Sequence, residues 1–402
     1  SEMCIRDRSK PVNIRPGAGW IDPCPFWDDD GKAYLVAGVA KSRIGYKSVL
    51  HMVEMQPDGM GLIGEEVKIF DGNENDQVTI EGPKMYKRNG WYYIFAPAGG
   101  VKTGWQTVLR SKNPFGPYEY KVVMRQGDSP VNGPHQGAWV DTVTGQDWFL
   151  HFQDVYAGGR IVHLQPMHWE NDWPIIGINK PGNDYGEPVM EYTKPDIGKS
   201  NSYPVCEPDT SDDFTSDKLG MQWQWNANFE DSWYSLENNQ LKLNAVAASP
   251  LRPLGDLRNL LLQKWPAPEF STTTCLHLEQ MKDGDVAGLV SLGGCYTALA
   301  VQKINGKMSL QQRTGNWTKD DEVRTGLGEW NSDVIYIQMK VEKEIYRTFY
   351  VGIAEENLQP VGQMVEATPG RWVGVKDGLF AINEQGMEGG LVAADYFVYQ
   401  EL

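Results

Sequence analysis

No stretch of the 402-residue chain approaches the ~20 apolar residues that a membrane-spanning helix requires; its longest runs resemble Trp91–Ala96. The opening SEMCIRDRSK has no apolar segment of the kind a secretory leader carries, so these residues spell no address. Positive charge is scarce. Lys plus Arg number 37 against 53 Asp plus Glu, a net charge of −16, and this removes the phosphate-neutralising term on which nucleic-acid binding rests. Anionic membrane surfaces are disfavoured for the same reason. Cysteine is sparse: the five residues include no CxxC pair, which argues against a zinc ribbon, and their odd number leaves at least one thiol unpaired. Cys275 and Cys295 fall in the same half, where a bridge between them is open. Also missing are a helical 3.6-residue periodicity, an HExxH zinc helix, a Gly-rich phosphate loop and a Ser/His/Asp arrangement.

What the chain does have is 43 Gly, 24 Pro and a large aromatic complement of 15 Trp, 18 Tyr and 12 Phe. Flat rings of this kind either pack strands or stack on sugar faces. Between Asn179 and Asp213 a segment with five prolines and no periodic apolar pattern reads as a connector. Beyond it, runs such as LKLNAV, TTTCLHLEQM, AGLVSLGG and VIYIQMKV alternate with polar turns, the signature of an antiparallel β-sandwich. The expected organisation is all-β, with one domain over residues 1–205 and a sandwich over 206–402.

The first half repeats itself. WIDPCPFWDDDGKAYLVAG, TIEGPKMYKRNGWYYIFAP and NGPHQGAWVDTVTGQDWFLHFQ share one plan: a polar residue, a strand, a turn with glycine and an aromatic strand. Their turn glycines, Gly31, Gly90 and Gly145, are spaced by 59 and 55 residues, somewhat above the period of a β-propeller blade. Asp22 and Glu81 each precede their glycine by nine residues, and His135 precedes its own by ten. Near-equivalent places on successive blades converge on one axis, so two carboxyls and an imidazole are expected at one end of it. Paired carboxyls point to acid–base work on a neutral substrate, and glycoside hydrolysis fits. One carboxyl must then hold a proton for the leaving oxygen while a neighbouring carboxylate keeps it protonated. Glu81, followed by Gly82 and Pro83, is the expected general acid and Asp22 its tuner.

These segments, together with GRIVHLQPMHW, resemble the successive blade motifs of glycoside hydrolase family 43, five-bladed β-propeller enzymes that act on xylan and arabinan side chains and ends. The trailing half, including NLLLQKWPAPEF, resembles the concanavalin A-like β-sandwich of the family's β-xylosidases. The resemblance implies that Asp22 modulates the pKa of the acid Glu81 and that Arg160 contacts the sugar. It also implies that His135 faces an axial calcium or water cluster, although calcium prefers oxygen ligands. Trp105, in TGWQTVLRS, is a candidate to line a subsite or to pack its strand. His151, His163 and His168 are expected to be structural. The family's base, an aspartate in a Pro-Asp-Pro-like pattern of the first blade, has no counterpart between Ser1 and Trp20, where Asp7 lacks flanking prolines. The expectation is thus a propeller whose first blade is largely missing. Asp28, Asp29 and Asp30 read as a solvated hairpin tip. The implied reaction is inverting hydrolysis of xylosyl or arabinofuranosyl ends of xylo-oligosaccharide or arabinoxylan, with no cofactor required and a periplasmic or extracellular setting favoured. The rival readings are a carbohydrate-binding propeller without catalysis and a purely structural scaffold.

Overall fold

The computed structural model describes residues 10–199, 204, 206–317 and 321–402. Glu2, Cys4 and Asp7 therefore lie outside the described residues. Among the described residues no helix is long and apolar enough to cross a membrane. The chain divides into two compact units, Ser1–Asp154 with Ile161–Ser202, and Val155–Arg160 with Tyr203–Leu402.

The first unit is built from antiparallel meanders. β1 (Trp20–Trp27), β2 (Ala33–Val39), β3 (Val49–Met55) and β4 (Leu62–Asp71) form one four-stranded sheet. β5 (Lys84–Arg88), β6 (Trp91–Ala98), β7 (Trp105–Ser111) and β8 (Glu119–Met124) form the second, to which the short pair β13 (Ile178–Asn179) and β14 (Gly186–Glu187) is added beside β8. β9 (His135–Asp141), β10 (Asp147–Asp154), β11 (Arg160–Glu170) and β12 (Trp173–Ile176) form the third. Among the described residues this gives three blade-like meanders.

Strand alternation explains how they stack. In β6, Ile94 and Ala96 join Tyr34, Val36, Leu50 and Met52 of the first sheet, while Tyr93 and Phe95 face Phe149, Met167 and Ile176 of the third. A strand buried on both faces is apolar at consecutive positions, as WYYIFAPA is. The first strands of neighbouring sheets are also joined by hydrogen bonds, from Met85 N–H to Cys24 Sγ (3.5 Å) and from Trp139 N–H to the Tyr86 hydroxyl (3.0 Å).

The second unit is a β-sandwich. One sheet runs Gln224–Trp225, Leu261–Lys264, Lys376–Asn383, Asp285–Leu292, Cys295–Ile304, Lys307–Asn316 and Val323–Trp330 from edge to edge. The other runs Tyr234–Glu237, Gln240–Asn244, Leu391–Glu401, Phe270–His277, Val334–Glu342, Tyr346–Gly352 and Gln359–Glu366. Ile335, Ile337, Met339 and Val341 meet Ala287, Leu289, Leu299 and Val301 in the core between them. Ala157, from the segment that connects β10 to β11, joins this core, and its carbonyl accepts the Val375 N–H. Cys275 and Cys295 stand on different sheets and are both free thiols, so the bridge open in the sequence is not made.

Candidate active site

Each meander of the first unit carries the same irregularity near the start of its first strand. In β1, Asp22 and Pro23 together oppose a single residue of β2, because the pairing shifts between Ile21–Gly38 and Cys24–Val36. In β9, Gln136 and Gly137 do the same against β10, between Ala138–Leu150 and His135–Phe152. In the second sheet Lys84 pairs with Phe95, yet Glu81 N–H bonds to the Pro97 carbonyl at 3.1 Å, the same excess of one residue at Gly82–Pro83. These are β-bulges, which bend a strand and re-aim its side chains. The residue at the bend has positive φ in all three: 52° at Asp22, 60° at Gly82 and 48° at Gln136.

Aligned on the bulge, Glu81 and His135 occupy one position and Asp22 and Gln136 the next. The count to the turn glycine misses this by one residue because the hairpin loops differ in length. Glu81 Oε1 lies 2.8 Å from His135 Nε2; the imidazole is buried, at 1% side-chain exposure, and the carboxyl is 27% exposed, so a substrate can reach it. His135 is further fixed by a T-shaped contact with Phe152 at 5.7 Å. Asp22 Oδ2 accepts hydrogen bonds from Gly82 N–H and from Gln136 Nε2, both at 3.1 Å. A side chain at residue 82 would be impossible without rearrangement, since a Cβ there would lie 2.3 Å from Gln136 Oε1. Asp22, Glu81 and His135 are therefore brought together, with Gln136 as a fourth member that the motif reading passed over. Its signal was present: Gln136 precedes Gly145 by nine residues, the same count as Asp22 and Glu81.

The other expected residues lie on the second and third strands of these sheets. Trp105 opens β7 half-buried; its indole N–H donates to Gln77 Oε1 at 2.8 Å and the Arg125 guanidinium lies 4.9 Å from its ring, a packed strand environment. Arg160 opens β11 in the short segment that groups with the second unit. His151 is buried and stacks on His163 at 5.5 Å; burial pushes its imidazole down to about 4, which keeps it neutral. His168 pairs with Glu170 at the surface.

Asp28 is a correction to the sequence reading. Only Asp29 and Asp30 are exposed, whereas the Asp28 side chain is buried and bonded to Lys87 Nζ, the Tyr92 hydroxyl and Asp29 N–H. Burial pushes its carboxyl up, but those three donors outweigh burial and hold it below its ordinary range. It lies at the far end of β1 from Asp22, about 20 Å away at the usual rise per residue.

The residues present do not fit an ion held directly at His135. One ring nitrogen is engaged with Glu81, and among the described residues no set of three His, Cys, Asp or Glu ligands includes it. Its buried Nδ1 has no hydrogen-bond partner among the described residues, and a lone imidazole nitrogen is a poor match to calcium, which takes six to eight oxygens.

With this geometry in hand, comparison with known proteins gives a family. Residues 8–174 match the Glycosyl hydrolases family 43, and residues 211–400 match the Beta xylosidase C-terminal Concanavalin A-like domain. The chain thus combines a glycoside hydrolase family 43 domain with a concanavalin A-like domain of the kind found at the C-terminus of β-xylosidases. It is 37% identical over 370 residues to a protein of Xylanibacter ruminicola named "Putative beta-xylosidase", covering 91% of this chain and 65% of the relative. A "Beta-xylosidase" of Formosa agariphila is 29% identical over 97% of this chain and 72% of its own length. The solved xylan beta-1,4-xylosidase from Bacillus halodurans superposes with a TM-score of 0.78 at 24% identity, over 95% of this chain and 76% of that one. The chain thus spans just under two thirds of the first of these relatives.

Proposed function

We propose that this chain is part of a cofactor-independent glycoside hydrolase that releases terminal xylosyl or arabinofuranosyl residues from xylo-oligosaccharide or arabinoxylan with inversion. The observation that carries the reading is the Glu81–His135 pair set beside Asp22 at the bulges of three adjacent sheets. In the Nε2–H tautomer His135 donates to Glu81 Oε1, which fixes the carboxyl and leaves Oε2 to carry a transferable proton. Glu81 gives that proton to the glycosidic oxygen as the bond to the anomeric carbon breaks. The Asp22 carboxylate, held by Gly82 N–H and Gln136 Nε2, is assigned by resemblance as the residue that modulates the acid. Water attacks the opposite face and surrenders its proton to a base ~6.5–9.5 Å from the acid. Arg160 is assigned to sugar binding and Trp105 to a subsite wall by resemblance, as is a five-bladed propeller with its first blade largely absent from these residues.

Asp28 is locked in an ion pair, and no residue from Ser1 to Trp20 reproduces the motif of the family's base. General-base assistance is worth ~10²–10⁴ in rate, so turnover by the 402-residue chain is proposed to be impaired by at least that factor. The test is hydrolysis of 4-nitrophenyl β-xyloside and α-arabinofuranoside by this chain and by a version extended with its genomic upstream sequence, the product anomer being read by NMR. Inverted product from the extended version alone supports the reading. Robust turnover by the 402-residue chain would show that the base has been misassigned, and sugar binding without turnover in either version would favour the carbohydrate-binding alternative.

A further inference from the structure

We propose that Cys275, His277 and Asp395 form a site for a zinc-class divalent ion on the face of the sandwich sheet that points away from the core. Along Phe270–His277, Phe270 and Leu276 enter the core, so the alternate positions Cys275 and His277 project together from the opposite face. Asp395 comes from the neighbouring strand Leu391–Glu401, 118 residues beyond His277. There the pairing shifts between Thr274–Phe397 and Leu276–Ala394, so Asp395 and Tyr396 bulge opposite Cys275. The bulge brings the carboxylate to the thiol and imidazole, and one donor atom from each of the three residues lies within 4.8 Å of the others.

The donor set selects the ion. A thiolate with an imidazole suits zinc and its soft neighbours, while calcium and magnesium call for oxygen alone. His277 Nε2 and Asp395 Oδ2 are hydrogen-bonded at 2.9 Å, so a separation of roughly 0.4 Å more would bring them to the spacing of two ligands on one tetrahedral ion with bonds of ~2.0–2.1 Å. The supporting groups that zinc ligands usually recruit are also in place. The other imidazole nitrogen of His277 faces Glu279 Oε1 at 3.4 Å, a carboxylate–histidine arrangement that orients the ring, and Asp395 Oδ1 accepts from Gln240 Nε2 at 2.7 Å. Cys275 is buried while His277 and Asp395 are part-exposed, which gives an ion three protein ligands and a fourth position open to water. Such an ion would tie the two strands across the bulge.

The experiment titrates the full chain, stripped with chelator, with Co²⁺ as the spectroscopic probe and then with Zn²⁺ in competition. One equivalent of Co²⁺ should bind with a thiolate-to-metal charge-transfer band that Zn²⁺ abolishes. Cys275→Ser should lose the band, His277→Ala should weaken binding by more than 100-fold, and Glu279→Gln by ~10–100-fold, as for other groups that orient a ligand. Cys206→Ser, at an exposed thiol, should change nothing. Each variant is first matched to the parent by circular dichroism in chelator; if Cys275→Ser fails that match, Asp395→Asn, which preserves side-chain volume, takes its place and should weaken Co²⁺ binding by more than 10-fold. No charge-transfer band, or a band that survives Cys275→Ser, would overturn the proposal.

Discussion

Asp377→Asn should flatten the pH dependence of sandwich stability. Asp377 stands in the central strand Lys376–Asn383 with no exposure, and neither carboxylate oxygen has a hydrogen-bond partner among the described residues. Burial pushes its carboxyl up to about 7 from an ordinary 3.8, against smaller opposing effects from Ser291, Trp265 and the charge of Arg347. Arg347 is itself held by the carbonyls of Ser291, Cys295 and Glu366, and among the described residues Asp377 has no ion-paired partner. A folded-state value above the unfolded one means that the contribution to stability is full below pH 3.8 and is lost as pH rises through 7. Applying 1.36 kcal/mol per pKa unit, the wild type should lose about 2.7 kcal/mol between pH 5 and pH 8 through this one group. Asparagine has nearly the same shape and no proton to lose, so the variant should lack that loss. Urea unfolding at four pH values measures it, taking the difference between wild type and variant in the transition of the second unit, since a two-unit chain need not unfold in one step. Parallel pH profiles for the two proteins would refute the reasoning and imply that the carboxyl is solvated or paired.

In an extended chain that turns over, Glu81→Gln should cut kcat/KM on alkyl xylosides by ~10²–10⁴ and on 4-nitrophenyl xyloside by much less, because a good leaving group needs little protonation. Gly82→Ala should cost ~1–2 kcal/mol from its positive φ alone and should also dislodge Gln136 from Asp22; calorimetry of the first unit and kcat report the two effects. Asp28→Ala should destabilise the first unit by about 2 kcal/mol by stripping a buried partner from Lys87 and Tyr92, and should leave the pH profile of activity unchanged.

Features with a short-range signature were visible in the sequence. Alternation along LKLNAV or VIYIQMKV announces a sandwich strand, and the common count to a turn glycine singled out Asp22 and Glu81. What escaped was set by partners distant along the chain. DDDG reads as a wet hairpin tip because nothing near it shows that Lys87 and Tyr92, some sixty residues later, close over Asp28. Cys275 and Asp395 meet only because the strand order places Leu391–Glu401 beside Phe270–His277. Gln136 was missed for a different reason: an amide next to a histidine drew less notice than the histidine, although the backbone treats it as the counterpart of Asp22.

The three bulges carry a consequence for how such a site changes over time. At each bend the direction of the side chains is set by an extra residue in the backbone and depends little on which side chains they are. One position holds Ile21, Glu81 or His135 and the next Asp22, Gly82 or Gln136, all on the same frame. The three bends therefore act as a set of interchangeable sockets: replacing the residue in one socket alters acid, brace or void while the sheets that hold it stay as they are.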